Sequence, residues 1–268
     1  MFKNHKDMTE NHKARIDNII RNGYDFKFGD YISQGFSLLQ KDYGNFMLFA
    51  LVAVIGIALI VIPIIGWFGV PLILIPVFTV GFYQAAHQLN RGEPIELNDL
   101  FCGFEKTKEL ALAVLVIGLF SLIAQIPYYL ANSDLYFWYF DFFQDPLGGL
   151  DYLNIPSTKL WTYVLIIPSW LIRTLYTFTL PFIWFYDFKF WDAMEASRKI
   201  VSKKILLIIA FTFVVSLIGG VGIYICCVGI LITYPAYMCM QYAAFADVTG
   251  LNREPDADDM IDQHLIVD

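Results

Sequence analysis

The reading of one stretch, Tyr43–Asn90, decides the fold: YGNFMLFALVAVIGIALIVIPIIGWFGVPLILIPVFTVGFYQAAHQLN, 48 residues without an Asp, Glu, Lys or Arg. One membrane crossing takes about 20 apolar residues, so the stretch has roughly twice the length of a single span. Its middle, Pro63-Ile-Ile-Gly66-Trp-Phe-Gly69-Val-Pro71, is a helix-breaking sequence that carries no charge. These features predict a transmembrane helical hairpin with crossings at about 46–65 and 68–89. A soluble helix of that length, apolar on every face, would have nothing to pack around it.

The pattern recurs outward from the hairpin. Residues 110–130 form an uncharged run, and 160–186 form another, interrupted only by Arg173 and containing Pro168 and Pro181. Residues 205–246 are a second long uncharged run, with Gly219, Gly220 and Gly222 near its middle, and predict crossings at 205–224 and 226–246. The expected fold is therefore an all-α integral membrane protein with six transmembrane helices. Segments before spans one, three and five mix apolar and charged residues at helical spacing: Ile32, Phe36 and Leu39; Leu97, Leu100 and Phe104; Phe190, Met194 and Val201. They predict amphipathic helices lying at the membrane interface. The chain divides into a polar arm (1–30), the transmembrane domain (31–250) and an acidic tail (251–268). The arm lacks the apolar core of a cleavable signal, so the first span is expected to direct insertion.

Lysine and arginine set the orientation. Seven precede span one, three lie between spans two and three, five between spans four and five, and Arg253 follows span six; the other side has only Lys159. Cytoplasmic loops retain positive charge, which puts both termini in the cytoplasm. On the opposite face, Tyr136, Phe137, Trp138, Tyr139 and Phe140 form an aromatic loop interleaved with Asp134, Asp141, Asp145 and Asp151. Rings with polar edges favour the headgroup layer. The two hairpins also echo each other: at an offset of 160, Ser37 falls on Ser197 and Gly69 on Gly229. An even number of crossings between them would make this a parallel internal repeat.

Composition excludes several chemistries. With 57% hydrophobic and 16% charged residues, the chain lies outside the soluble range. A net charge of −7 opposes nucleic-acid binding. Cys102, Cys226, Cys227 and Cys239 have no Cys-x-x-Cys spacing and no histidine nearby, so neither a metal site nor a disulfide framework is expected. The tail holds Glu254, Asp256, Asp258, Asp259, Asp262 and His264 but lacks the glycine and terminal glutamate of a calcium loop. No nucleophile elbow, phosphate loop or His-Glu-x-x-His motif occurs. The expectation is a protein without catalytic residues, metal or cofactor.

Arg173 is the sharpest candidate. Thirteen uncharged residues flank it on each side, which by counting places it near the middle of span four. An arginine there costs roughly 2.5–3.5 kcal/mol unless it meets protein or water. No span contains a carboxylate, so its candidate partners are Gln125, Gln84, Gln241, Tyr176 and carbonyls freed by the prolines. Two readings stand open: a site for an anion or lipid phosphate, or an arginine that locks span four to the bundle. His87 suits interhelical hydrogen bonding.

Gly66 and Gly81, Asp99-Leu-Phe-Cys-Gly-Phe104, Asp192-Ala-Met-Glu-Ala-Ser197, Gly229 and Pro235 resemble a group of bacterial multi-pass membrane proteins. Some of these are similar to the membrane domain fused to certain glycerophosphodiester phosphodiesterases. The resemblance covers most of Tyr31 to Leu251 and implies a bacterial cytoplasmic (inner) membrane location. The phosphodiesterase's histidine and acidic metal ligands have no counterpart here, so no activity is implied. The expected function is non-enzymatic, with membrane lipids and a protein partner or second copy as the binding classes; the alternative is a small transporter or channel for an anionic or lipid-like solute using Arg173. In the predicted topology, a membrane-impermeant thiol reagent labels Cys102 only after the cytoplasmic face is opened, and labelling in intact cells would reverse the orientation.

Overall fold

The structure, a computed structural model, describes residues 5–63, 65–144, 156–224 and 229–252. Among these, all regular structure is helical. Helix α1 covers His5–Asn22, α2 Phe28–Lys41 and α3 Tyr43–Ala58. A π-wound segment, Ile65–Leu74, leads into α4, Ile75–Asn90; a 3₁₀ segment, Leu97–Lys106, leads into α5, Thr107–Ala131. Then come α6, Ser133–Gln144, a 3₁₀ segment Leu160–Ile166, α7 at Ile167–Leu175 and α8 at Thr179–Phe185. Helices α9, Phe190–Lys203, α10, Ile205–Tyr224, and α11, Ile230–Val248, complete the chain. Cys226, Cys227, residues 145–155 and the acidic tail from 253 onward lie outside the described residues.

Among the described residues, five stretches are long and apolar enough to cross a membrane: Tyr43–Val61, Gly66–Asn90, Leu97–Ala131, Leu160–Phe185 and Ile205–Tyr224. Their outward faces expose large apolar side chains, among them Leu51 and Ile55 on α3, Leu119 and Ile123 on α5, and Leu217 and Val221 on α10. Apolar faces this extensive do not stand in water. The chain is a multi-pass membrane protein.

Helix α11 is not one of the five stretches, and its burial accounts for that. It packs against α2, α3, α4 and α10, and Ala236 and every residue from Met238 to Ala246 are buried. A helix surrounded by helices has no need of lipid solubility, so Tyr234, Tyr237, Gln241 and Tyr242 are tolerated there. Helix α4 is buried almost as completely, and the Phe46, Phe49 and Phe82 rings fill the space between α3 and α4.

Close backbone approach makes this packing possible. A Cβ on Gly81 would lie 2.6 Å from the Cα of Leu100, and one on Gly103 would lie 2.8 Å from the Cα of Val77. Each glycine thus faces the backbone of the other's element, joining α4 to Leu97–Lys106 through two close approaches. Gly35 plays the same part where α2 crosses α11; its Cβ would lie 2.7 Å from the backbone nitrogen of Met240.

Four segments differ from their sequence readings. Residues 5–22 of the polar arm form α1, which packs on α9. The segment before span three is 3₁₀ and runs directly into α5. The aromatic loop is helical over its first part, as α6. Span four is not one helix, because α7 and α8 are separated by a turn at Tyr176–Phe178. The segments before spans one and five, α2 and α9, are both helical, but their surroundings are not equivalent. The former packs on α11, the latter on α5, α7, α8 and α1.

Gly81→Ala forces the Leu100 backbone to move and lowers stability by about 1–3 kcal/mol. Gly118→Ala on α5, where a Cβ meets nothing within 4 Å, leaves stability unchanged or raises it by up to about 1 kcal/mol. Thermal unfolding of both variants in one detergent measures the contrast.

Candidate functional site at the break in span four

Pro181 has no N–H to offer the carbonyl of Thr177, so the helical ladder fails one turn upstream of it. The chain closes α7 with Tyr176 N–H on the Ile172 carbonyl (3.2 Å) and restarts with Thr179 N–H on the Tyr176 carbonyl (3.1 Å). Two backbone groups left over at the break are met by one side chain from another helix. The Ser197 hydroxyl on α9 donates to the Leu175 carbonyl at 2.8 Å and accepts from the Phe178 N–H at 3.2 Å. Ser197 is fully buried, so water cannot replace it.

The far end of α8 is held as firmly. The Lys106 ammonium donates to the carbonyls of Ile183 (3.0 Å) and Trp184 (3.3 Å), pairs with Asp187 and lies 5.6 Å from the centre of the Trp184 ring. Asp187 has a φ of 55°, in the left-handed region that Asp tolerates better than most residues. The Trp184 indole N–H donates to Gln84 at 2.9 Å. Short as it is, α8 is therefore anchored at both ends, with Phe178 and Phe182 packed on Phe245 of α11.

Arg173 lies in the last turn of α7, two residues before that helix ends, because the break cuts the span short. Counting residues puts it at mid-span only if 160–186 is one continuous helix. It is exposed, and among the described residues it forms no hydrogen bond or ion pair. Its direction on the helix is informative. Two residues correspond to about 200° of rotation, so Arg173 points away from the exposed Leu171. The positions closest to it on the wheel face protein: Ser169 is buried, and Trp170 packs on Phe213 of α10, ring centres 6.4 Å apart. Arg173 thus combines a protein-facing direction with an exposed side chain.

The expected partners are engaged elsewhere. Gln84 binds Trp184, Gln125 accepts from Tyr129 at 3.2 Å, and Gln241 is buried beside Tyr237 of the same helix. Tyr176 follows Arg173 by three residues and lies near Arg198 of α9. The set Arg173, Gln125, Gln84, Gln241 and Tyr176 is not assembled as one cluster. On α6, Tyr136, Phe137 and Phe140 are exposed, Trp138 is half-buried, and the side chain of Tyr139 lies outside the described residues. Tyr136 packs edge-on against Tyr129 of α5 at 5.0 Å.

Several other cations have partners. Lys41 donates to the Leu89 carbonyl at the end of α4 (2.9 Å), Arg15 to the Gly250 carbonyl just past α11, and Lys13 pairs with Asp192 (2.8 Å). Arg198 pairs with Glu195 at 2.7 Å, and that hydrogen bond holds the Glu195 carboxyl below its ordinary range. Burial pushes the Tyr31 hydroxyl up; it donates to Asp247 at 2.7 Å and ties α2 to the end of α11. His87 and Tyr242 share a hydrogen bond of 2.8 Å between α4 and α11. Among the described residues, no three His, Cys, Asp or Glu side chains are placed to hold a metal ion.

The chain matches no protein-family model, no curated protein and no solved structure. Sequence reasoning missed the parts played by Ser197, Lys106 and Asp187. Pro181 signalled a freed carbonyl, but nothing local to span four indicates that a serine two elements away closes the gap.

Ser197→Ala leaves the Leu175 carbonyl and the Phe178 N–H unpaired and costs about 1–3 kcal/mol. Ser37→Ala, at the exposed position paired with it in the offset of 160, changes unfolding by less than about 0.5 kcal/mol. Thermal melts of the two variants separate a junction role from a general serine effect.

Proposed function

We propose that this protein is a six-span, non-enzymatic, lipid-associated protein of the bacterial cytoplasmic membrane, with both termini inside, and that Arg173 receives an anionic phosphate. The observation that carries the reading is an exposed, unpaired arginine on the protein-facing side of α7, in the last turn of that helix. Helix α11 is the sixth span in this reading, since its 19 residues give a rise of about 28 Å. Helices α2 and α9 take interfacial positions, with their charged faces in the headgroup layer.

The geometry of span four supports a shallow position for Arg173. At about 2.0 and 1.5 Å per residue, Leu160–Ile166 and α7 together rise about 27 Å, close to the hydrocarbon thickness of about 30 Å. Arg173 then lies within a turn of the cytoplasmic headgroups. Its stem stays in apolar surroundings, and its guanidinium offers the planar pair of donors that suits a phosphate. The exposed Phe137 and Phe140 of α6, beside the Tyr129–Tyr136 pair, fit the opposite headgroup layer.

The break between α7 and α8 favours a second reading, passage of an anionic solute, because interrupted spans line the binding sites of many transporters. In the lipid reading, native mass spectrometry from mild detergent finds anionic lipid on the wild type and its loss, by about tenfold or more, in Arg173→Gln. Arg173→Lys retains part of it. Equal retention in a folded Arg173→Gln variant removes the site, and anion flux in proteoliposomes that depends on Arg173 selects the transport reading instead.

A further inference from the structure

A second polar site lies between α4 and α11, apart from Arg173. On α11, Tyr234, Tyr237 and Gln241 are spaced three and four residues apart and share one face. Tyr83 of α4 lies close to both tyrosines, and Thr79, one turn earlier, lies close to Tyr234 while its own hydroxyl donates to the Ile75 carbonyl at 2.8 Å. The Tyr234 and Tyr237 rings are stacked with centres 6.2 Å apart, and Phe82 closes one side, edge-on to Tyr234 at 5.4 Å. Gly219 of α10 admits Tyr237 on another side, where even a Cβ would come within 3.0 Å of it.

One atom in this seam is incomplete. Gln241 is 2% exposed, and its Oε1 is buried without a hydrogen-bond partner among the described residues. Its amide lies beside Tyr237; with Nε2 on that side, the Tyr237 hydroxyl keeps its own proton to donate. A buried acceptor without a donor is costly, and its presence calls for a partner. The seam is reachable from one end, since Tyr234 and Tyr237 are only half-buried, and closed at the other by Gln241. Residues 75–90 and 230–246 contain no Asp, Glu, Lys or Arg. A charged ligand would therefore be buried without a counter-charge, which is strongly unfavourable.

We propose that the α4–α11 seam binds a neutral hydroxyl-bearing group, a polyol or sugar ring. One ligand hydroxyl donates to Gln241 Oε1, tyrosine hydroxyls donate to its oxygens, and the stacked rings contact its apolar face. The same chemistry is carried by a free sugar and by a glycolipid headgroup. The test uses the full chain in phosphatidylcholine nanodiscs. The probes are free glucose and a glucosyl diacylglycerol incorporated in the disc, with binding read as a shift in melting temperature and by native mass spectrometry.

The expected result is a stabilising shift with one probe, which identifies the source. Its apparent affinity falls about tenfold in Gln241→Leu and severalfold in Tyr237→Phe. Tyr237→Phe keeps the ring and decides the matter should Gln241→Leu not fold. Arg173→Gln leaves this binding unchanged, so the seam and the phosphate site fail separately. The proposal is overturned if neither probe binds, or if Gln241→Leu, or Tyr237→Phe in its place, binds as the wild type does. Gain of stability in Gln241→Leu together with unaltered binding would make Oε1 a structural orphan.

Discussion

A helix that stops in apolar surroundings leaves carbonyl groups that water cannot reach, and this structure is organised by how those groups are met. Lys41 serves the end of α4, Lys106 the end of α8 and Arg15 the chain just past α11. Each comes from a different part of the chain, so each cap also fixes how two elements lie together. A cation at a helix C-terminus gains from the macrodipole as well as from the hydrogen bond. Ser197 does the same work without charge at the buried break between α7 and α8. Basic residues concentrated at one side of the bundle thus also hold the helix ends there in register.

The distribution of side chains reverses the usual soluble pattern. The most apolar helices, α3 and α10, present large side chains outward, while α11, with its tyrosines and glutamine, occupies the middle. In lipid, apolar surface has no reason to leave the exterior, so association depends on close packing and on hydrogen bonds between helices. Both are present: glycines 35, 81 and 103 let backbones meet, and the pairs His87–Tyr242, Gln84–Trp184 and Tyr31–Asp247 join helices.

Much of this was legible in the chain. Uninterrupted apolar runs and the position of their breaks identify the hairpin at Tyr43–Asn90, since burial of a charge in lipid is prohibitive and its absence over 48 residues is informative. Glycines 81 and 103 stood out in short motifs, and the fold places each against the backbone of the other's element. Span four misled because residue counting assumes a continuous helix. Pro181 can kink a span or end it; here the chain ends α7 and turns, and Ser197, on another helix, meets the Leu175 carbonyl and the Phe178 N–H at that turn.

The sequence by itself determined the class of the molecule, an all-helical multi-pass membrane protein, because hydropathy and charge act along the chain and can be summed without knowing any contact. It also marked where helices can break, since proline and glycine act through the local backbone, although Pro127 and Pro235 lie inside continuous helices. The tertiary structure decided which helix stands at the centre, which cations serve as caps, and that Arg173 lies exposed near the end of α7 while Gln241 is buried between α4 and α11. Those outcomes depend on which faces meet across more than a hundred residues of chain, and no local propensity encodes them.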